Sequence, residues 1–252
     1  MEPDLDAAEN DLYAWQMDLP GFGSAAQRRL KGASVLISRC GGIGGVAALE
    51  LAAAGVGRLI IAHAGRLKPS DLHRQVLQQS DRIGRPRLES ITERLQALNP
   101  RVEVVGIPEN ASAENADRLV GLADVVIDAA PMFQERLALN DAAVRLGRPM
   151  VEASMHGWDA HVTSFMPGSG PCLRCLCPEV PPDWTRRFPV LGAVSGTAGC
   201  IAAAEAVKLL TGLGQPLVGT LLALDLLKGA CRRLSITRDP ACPVCAGVQP
   251  CR

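Results

Sequence analysis

Ser34-Val-Leu-Ile-Ser-Arg-Cys-Gly-Gly-Ile-Gly-Gly45 decides how the rest of the chain is read. Residues 34–37 are four apolar or small residues that read as a buried strand, a glycine-rich turn follows, and 46–54, built largely of Ala, Leu and Val, predicts a packed helix. Strand, glycine turn and helix make the first unit of a nucleotide-binding βαβ fold. Glycines let the backbone approach a phosphate, and the helix N-terminus offers free N–H groups and a partial positive charge. One residue breaks the pattern: Arg39 stands where such a turn ordinarily begins with glycine.

Outward from this unit, strands are predicted over 57–62, 102–106, 123–128 and 149–153. Between them fall helices over 86–98, ended by Asn99-Pro100, over 112–122 with Ser112 as cap, and over 133–146, stopped by Gly147. Ahead of the first strand, 24–30 predicts a short helix with Ser24 at its N-cap. Residues 73–79 predict a short helical segment. Strands alternating with helices imply an α/β fold, a Rossmann-like, mostly parallel sheet with helices on both faces. The texture changes after Trp158. An alternating run over 160–165 predicts an antiparallel strand, 167–189 is a Pro/Gly/Cys-rich loop, 193–211 is a long apolar helix for core or dimer packing, and 218–226 and 233–237 predict closing strands. Three parts follow: an N-terminal segment 1–20, a Rossmann-like nucleotide-binding-type subdomain 21–155, and a C-terminal part 156–252.

Composition excludes several function classes. Of 252 residues, 48% are apolar, enough for a sizeable core, while aromatics are only 3% and leave few platforms on which bases could stack. Net charge is zero, which removes the electrostatic case for a nucleic-acid partner. The N-terminus is acidic (Glu2, Asp4, Asp6, Glu9, Asp11) with no basic-then-apolar leader pattern. The longest apolar run, 190–210, carries Glu205 and Lys208, which argues against a membrane span. A cytoplasmic location follows as the expectation, and the nine cysteines then read as thiols or metal ligands before disulfides.

Four of those cysteines form two CxxC knuckles, Cys172-Leu-Arg-Cys175 and Cys242-Pro-Val-Cys245. Two such pairs, far apart in sequence, can close a tetrahedral tetrathiolate zinc site with no open position, a structural rather than catalytic centre that ties the loop to the C-terminal region. Cys177 and Cys251 lie beside the knuckles as spare thiols. Cys200 and Cys231 read as core packing.

The chain resembles the ThiF/MoeB/HesA family, the bacterial relatives of ubiquitin-activating enzymes, over roughly residues 12–247. The stretches that carry the resemblance are Leu19-Pro-Gly-Phe-Gly23, the glycine turn, Ala53-Ala-Gly-Val-Gly57, Ser70-Asp-Leu-His-Arg-Gln75, Ile83-Gly-Arg-Pro-Arg87, Leu98-Asn-Pro100, Gly170-Pro-Cys-Leu-Arg-Cys175, Glu205-Ala-Val-Lys-Leu-Leu210 and Asp239-Pro-Ala-Cys-Pro-Val-Cys245. The resemblance implies a homodimer, or a heterodimer with a related member. It also implies a reaction in which ATP and magnesium convert the C-terminal carboxylate of a small ubiquitin-like or sulfur-carrier protein into an acyl-adenylate. It gives the C-terminal part the task of carrier binding and dimerisation.

Laid on that resemblance, the family's catalytic set is eroded. Arg74, followed by Gln75, keeps the phosphate-contacting arginine, and Arg87 replaces the phosphate-contacting lysine. Arg39 replaces the first turn glycine, with Gly41, Gly42 and Gly44 retained. His63 replaces the ribose-binding aspartate, Gly65 the second acidic residue, and Asp71 an asparagine. Pro131 replaces the magnesium-binding aspartate, although Asp128 survives nearby, and Trp15 stands where an arginine reaches across the dimer. The thioester cysteine position falls near Thr185. His156, His161 and Trp184-Thr-Arg-Arg187 lie where a partner's tail is expected. The reading is therefore a member that keeps the fold and structural zinc, with Arg74 and Arg87 as the catalytic candidates and Arg39, Gly41, Gly42, Gly44, His63 and Gln75 as an anion or nucleotide pocket. ATP–magnesium chemistry is doubtful, and a protein- or peptide-binding role is favoured. The alternative is an active adenylyltransferase with an altered pocket.

Overall fold

The structure is a computed structural model and describes residues 3–249, so Cys251 lies outside the described residues. Three short helices, α1 (Ala7–Leu12), α2 (Ala14–Met17) and α3 (Gly23–Gly32), lead into β1 (Ser34–Ser38). The chain continues through α4 (Gly42–Ala53), β2 (Arg58–Ala62), α5 (Arg87–Leu98), β3 (Glu103–Ile107), α6 (Ala116–Val120), β4 (Val125–Asp128) and α7 (Phe133–Arg145). It closes with β5 (Met150–His156), β6 (Asp159–Phe165), α8 (Leu173–Leu176), α9 (Gly192–Thr211), β7 (Thr220–Asp225) and β8 (Ala230–Ser235).

All eight strands share one sheet in the order β3-β2-β1-β4-β5-β6-β7-β8. The first five are parallel and the last three antiparallel. The central strands are apolar throughout because both their faces are covered. In register, Leu36 lies between Ile60 and Val126, and Ile37 between Ile61 and Ile127. Side chains alternate across the sheet. Val35, Ile37, Leu59, Ile61 and Ile127 therefore pack with α4, α5 and α9, while Leu36, Ile60 and Val126 pack on the other face with α6 and α7.

The Gly/Ala content of α4 and α9 has a direct reason. A Cβ at Gly199 would stand 2.5 Å from the Ile43 carbonyl oxygen, and one at Gly42 would stand 2.7 Å from Ser195 Oγ. The two helices meet nearly backbone to backbone. Among the described residues α9 is the one helix long and apolar enough to cross a membrane. It packs instead on α4 and strands β4 to β6. Its buried Glu205 accepts from Ser164 Oγ and the Leu217 amide at 2.7 Å each and pairs with Lys208, as a core helix does.

Several local expectations are corrected. Residues 73–79 form turns, preceded by a 3-10 turn at Pro69–Asp71, because Arg74 and Gln75 face a cavity while Leu77 enters the core, so no single helical face exists. The helix expected over 112–122 is only Ala116–Val120. Asn115 Oδ1 accepts the Ser112 amide at 2.8 Å, which makes Ser112 the opening of a turn and not a cap. Ser24 lies inside α3 and makes no cap; its hydroxyl accepts from Arg28. Cys200 and Cys231 are exposed, not core. Cys200 points away from the buried face of α9 made by Ala198, Gly199, Ala202 and Ala203, and Cys231 lies on the edge strand β8.

Candidate functional site

Strand order reverses between β1 and β4, and at the C-terminal ends of the parallel strands a cavity of about 1020 Å3 opens. Such a switch point is where open α/β sheets bind ligands. Its walls come from the glycine turn, the segment after β2, the segment after β4, the β5–β6 hairpin, and residues 176–190, which cross the opening.

Arg39 is the single non-glycine residue with positive φ among the described residues, at 66°. Left-handed backbone costs an L-residue about 1–2 kcal/mol. Its side chain explains the tolerance. Arg39 Nε and Nη2 each donate to Glu135 on α7 at 2.6 Å, a bidentate pair with 14% and 11% side-chain exposure. The turn is thus pinned to the opposite wall.

Asp71 is held between two arginines, Arg87 Nη2 at 2.6 Å and Arg74 Nη2 at 3.1 Å. Burial alone would raise its carboxyl, but the hydrogen bond and charge of Arg87, with the Lys68 amide and Arg74, outweigh burial and hold it below the usual carboxylate range. His63, at the end of β2, is buried. Burial, then the charges of Arg87 and Arg39, bring its imidazole down to about 3, so it is neutral at physiological pH. His63 Nδ1, Gln75 Oε1 and Arg87 Nε are buried without a partner among the described residues. Buried polar groups are ordinarily paired, so these three are exceptions, and each belongs to a residue that lines the cavity.

On the α7 side, buried Arg136 pairs with Glu152 and lies 3.8 Å from Asp128 Oδ2. Asp128 is fully buried and accepts the Ala130 amide at 3.0 Å. Burial raises its carboxyl to about 7, with Arg136 opposing and Glu152 adding to the rise. Pro131 lines the cavity but offers only its carbonyl, which accepts Trp184 Nε1 at 2.7 Å.

Charge in the cavity is lopsided. Arg39, Arg74, Arg87, Arg136, Arg186 and Arg187 line it, whereas the lining carboxylates Asp71 and Glu152 are each engaged by an arginine, as is Glu135 behind Arg39. The far end is less polar, with Met155, Phe188, Val190 and Leu221 beside His156 and His161. The cavity suits an anion attached to an apolar body, and among the described residues both of its lining carboxylates are paired with arginines.

Seven of the eight pocket candidates therefore line the cavity: Arg39, Gly41, Gly42, His63, Arg74, Gln75 and Arg87. Gly44 does not. A Cβ there would stand 2.6 Å from the Arg39 carbonyl and 3.0 Å from Ile37, so close helix–turn packing requires this glycine. Trp15 is 91% exposed on α2. Arg136 and Glu152 escaped the sequence reading, although a glutamate within the otherwise apolar Met150–His156 strand is the signal that could have found them, because buried charges are paired.

The four knuckle cysteines converge. Their sulfurs lie within 4.8 Å of one another, with Cys172–Cys242 at 3.7 Å and Cys175–Cys245 at 3.5 Å. A tetrahedral ion with metal–sulfur bonds of 2.3 Å requires edges of about 3.8 Å. The Asp239 amide points at Cys175 Sγ at 3.4 Å, a donor that suits a thiolate. The donor set fits a closed four-sulfur metal site.

Comparisons with known proteins give the family and the fold. The profile of the ThiF family matches residues 13–244. Protein HesA, heterocyst, of Trichormus variabilis is 49% identical over 98% of this chain and 93% of its own. The sulfur carrier protein adenylyltransferase of Thermus thermophilus is 42% identical over 94% of this chain and 91% of its own. Among solved structures, E. coli MccB with ATP superposes with a TM-score of 0.84 at 23% identity, over 97% of this chain and 77% of that one, a likeness of fold.

Proposed function

The chain belongs to the ThiF family, whose members include activating enzymes for sulfur-carrier and ubiquitin-like proteins, and on that premise we propose that it is a divergent member that binds the tail of such a small protein, or of a peptide, without magnesium-dependent adenylation. One observation carries this reading: every carboxylate lining the cavity among the described residues is already paired with an arginine, and the family resemblance would put a metal-binding aspartate where Pro131 lines the wall. A preorganised electrostatic contact supplies about 3–4 kcal/mol of barrier lowering. Loss of the metal ligand together with the ribose anchor at His63 removes more than one such contact. The apolar end of the cavity beside His156 and His161 suits a flexible tail, and the arginine end suits its terminal carboxylate. The same reading makes the four-cysteine centre a structural zinc site, pairs the chain with a second copy or a related family member, and keeps it in the cytoplasm.

Pyrophosphate exchange into ATP by the purified chain, alone and with small proteins ending in Gly-Gly, tests the proposal. Absence of exchange together with saturable binding of the tail peptide is the expected result. Robust exchange overturns it. The second reading, an active adenylyltransferase with an altered pocket, rests on the surplus of guanidiniums, which can neutralise phosphates where magnesium ordinarily would. It requires that exchange to be seen.

A further inference from the structure

Between α7 and the sheet, two carboxylates share one guanidinium. Arg136 reaches from α7 to Glu152 on β5, and its Nη1 also lies 3.8 Å from Oδ2 of Asp128, the last residue of β4. All three side chains are buried, and Asp128 has no exposed surface. Arg136 and Glu152 line the cavity, with Asp128 behind them. The Arg136 guanidinium is set over the Phe133 ring, its Cζ 5.8 Å from the centroid.

This cluster is unbalanced in two ways. Two carboxylates against one guanidinium leave an excess negative charge in a dry site, which favours a proton on one of them. Asp128 is the acid that keeps it, because Glu152 has the closer contact with Arg136 and Asp128 is the more deeply buried. Burial raises its carboxyl to about 7 against the opposing charge of Arg136. Second, Arg136 Nε and Asp128 Oδ2 have no partner among the described residues. A guanidinium carries five N–H donors, and both ion pairs of Arg136 run through Nη1. The other groups around Asp128 do not supply the missing charge. The neighbour in register on β1 is Ser38, Glu135 on α7 is paired with Arg39, and Cys177 is a thiol whose proton burial holds in place.

We propose that Arg136 receives the terminal carboxylate of the tail, and that the Asp128–Glu152 pair holds a proton whenever it does. The inference rests on the tail-binding reading and names the residue that takes the carboxylate and the pair that regulates it. A proton on Asp128 leaves Arg136 shared with Glu152 alone, so its charge is free to serve the ligand. A third carboxylate beside the same guanidinium in turn strengthens the hold of Asp128 on that proton. Proton and tail therefore bind together, each favouring the other by the same factor. Below about pH 7 the proton is already in place. Above that, binding must bring one in, and affinity falls by up to about tenfold per pH unit. Asp128 and Glu152 act as positioning residues, through Arg136.

Calorimetric titration tests this on the full-length, metal-loaded chain. The probe is an N-acetylated synthetic peptide ending in Gly-Gly, as the free acid and as the C-terminal amide, at several pH values from 6 to 8.5 and in two buffers of different ionisation enthalpy. The acid is expected to weaken by about tenfold per pH unit above pH 7, with uptake approaching one proton per peptide, while the amide binds weakly and without that slope. R136Q should remove the preference for acid over amide, and D128N should flatten the pH profile of the acid. His156 and His161 also line the cavity and are untouched in D128N, so a profile that persists in that variant assigns the dependence elsewhere and overturns the proposal. If D128N does not fold, E152Q decides: with Glu152 uncharged, Arg136 serves Asp128 alone and the profile should move to lower pH, and an unmoved profile overturns the proposal. Acid and amide binding equally well overturns it while leaving tail binding intact. Binding of neither peptide overturns both.

Discussion

Substituting Arg39 by glycine tests whether the glycine turn is locked by its ion pair. Two opposed terms are at work. Glycine relieves the left-handed strain at φ 66°, about 1–2 kcal/mol. It also leaves Glu135, whose side chain is 11% exposed, without its bidentate partner. Removing one member of a buried pair costs about 3–5 kcal/mol. The second term wins, so R39G is expected to lose about 2–3 kcal/mol net. At about 2–4 °C per kcal/mol for a chain of this size, the melting temperature falls by roughly 4–12 °C. The double variant R39G/E135Q removes the stranded charge while keeping the relief of strain, and returns to within about 1 kcal/mol of the parent. Calorimetric melting of the parent, R39G, E135Q and the double variant completes the cycle. An R39G protein as stable as the parent, or a double variant no better than R39G, refutes the view that this pair holds the turn.

Three further outcomes follow from the geometry. Elemental analysis should find one zinc per chain, bound by Cys172, Cys175, Cys242 and Cys245, and C172S/C242S should lose both the metal and several degrees of melting temperature. Stability should respond to pH through two buried groups of opposite sign. Asp128, raised to about 7, binds its proton more tightly when folded, so it lowers stability as pH rises from about 4 to 7. His63, lowered to about 3, is charged more readily when unfolded, so it raises stability over the same rise up to about 6.5. D128N should therefore steepen the gain in stability with rising pH relative to the parent, and H63Q should reverse the difference, each by up to about 1.4 kcal/mol per pH unit in denaturant titrations. Finally, G199A places a methyl 2.5 Å from the Ile43 carbonyl and should cost about 1–3 kcal/mol through forced separation of α4 and α9.

The fold was legible because its central signals are local. Alternating strands and helices, the glycine turn and the two cysteine knuckles each follow from short-range spacing, and the structure brings the knuckles together as that spacing requires. Where short segments compete with tertiary demands, local reading fails. Residues 73–79 have helical composition, yet Arg74 and Leu77 must face opposite environments. Seven of the eight candidate positions line one cavity because they flank strand ends near the switch point. Gly44 lies outside the lining, where a glycine needed for packing reads in sequence like one needed for a ligand. The partners chosen by those residues were not legible. Nothing in the sequence pairs Arg39 with Glu135, 96 positions away, or sets Trp184 on Pro131, 53 positions away. Such contacts exist only once the sheet has ordered the loops above it.

The close seating of α9 on α4 has a consequence for how the chain is made. Helix α4 leaves the ribosome about 140 residues before α9 does. At about 5–20 residues per second, that gap lasts roughly 7–30 seconds. Through that interval one face of α4 and the parts of β4 and β5 that α9 covers lack that cover, because the helix that completes them has yet to be synthesised. The chain therefore cannot consolidate piece by piece from its N-terminus. Final packing waits for a late, long-range encounter, the kind of contact that slows folding most.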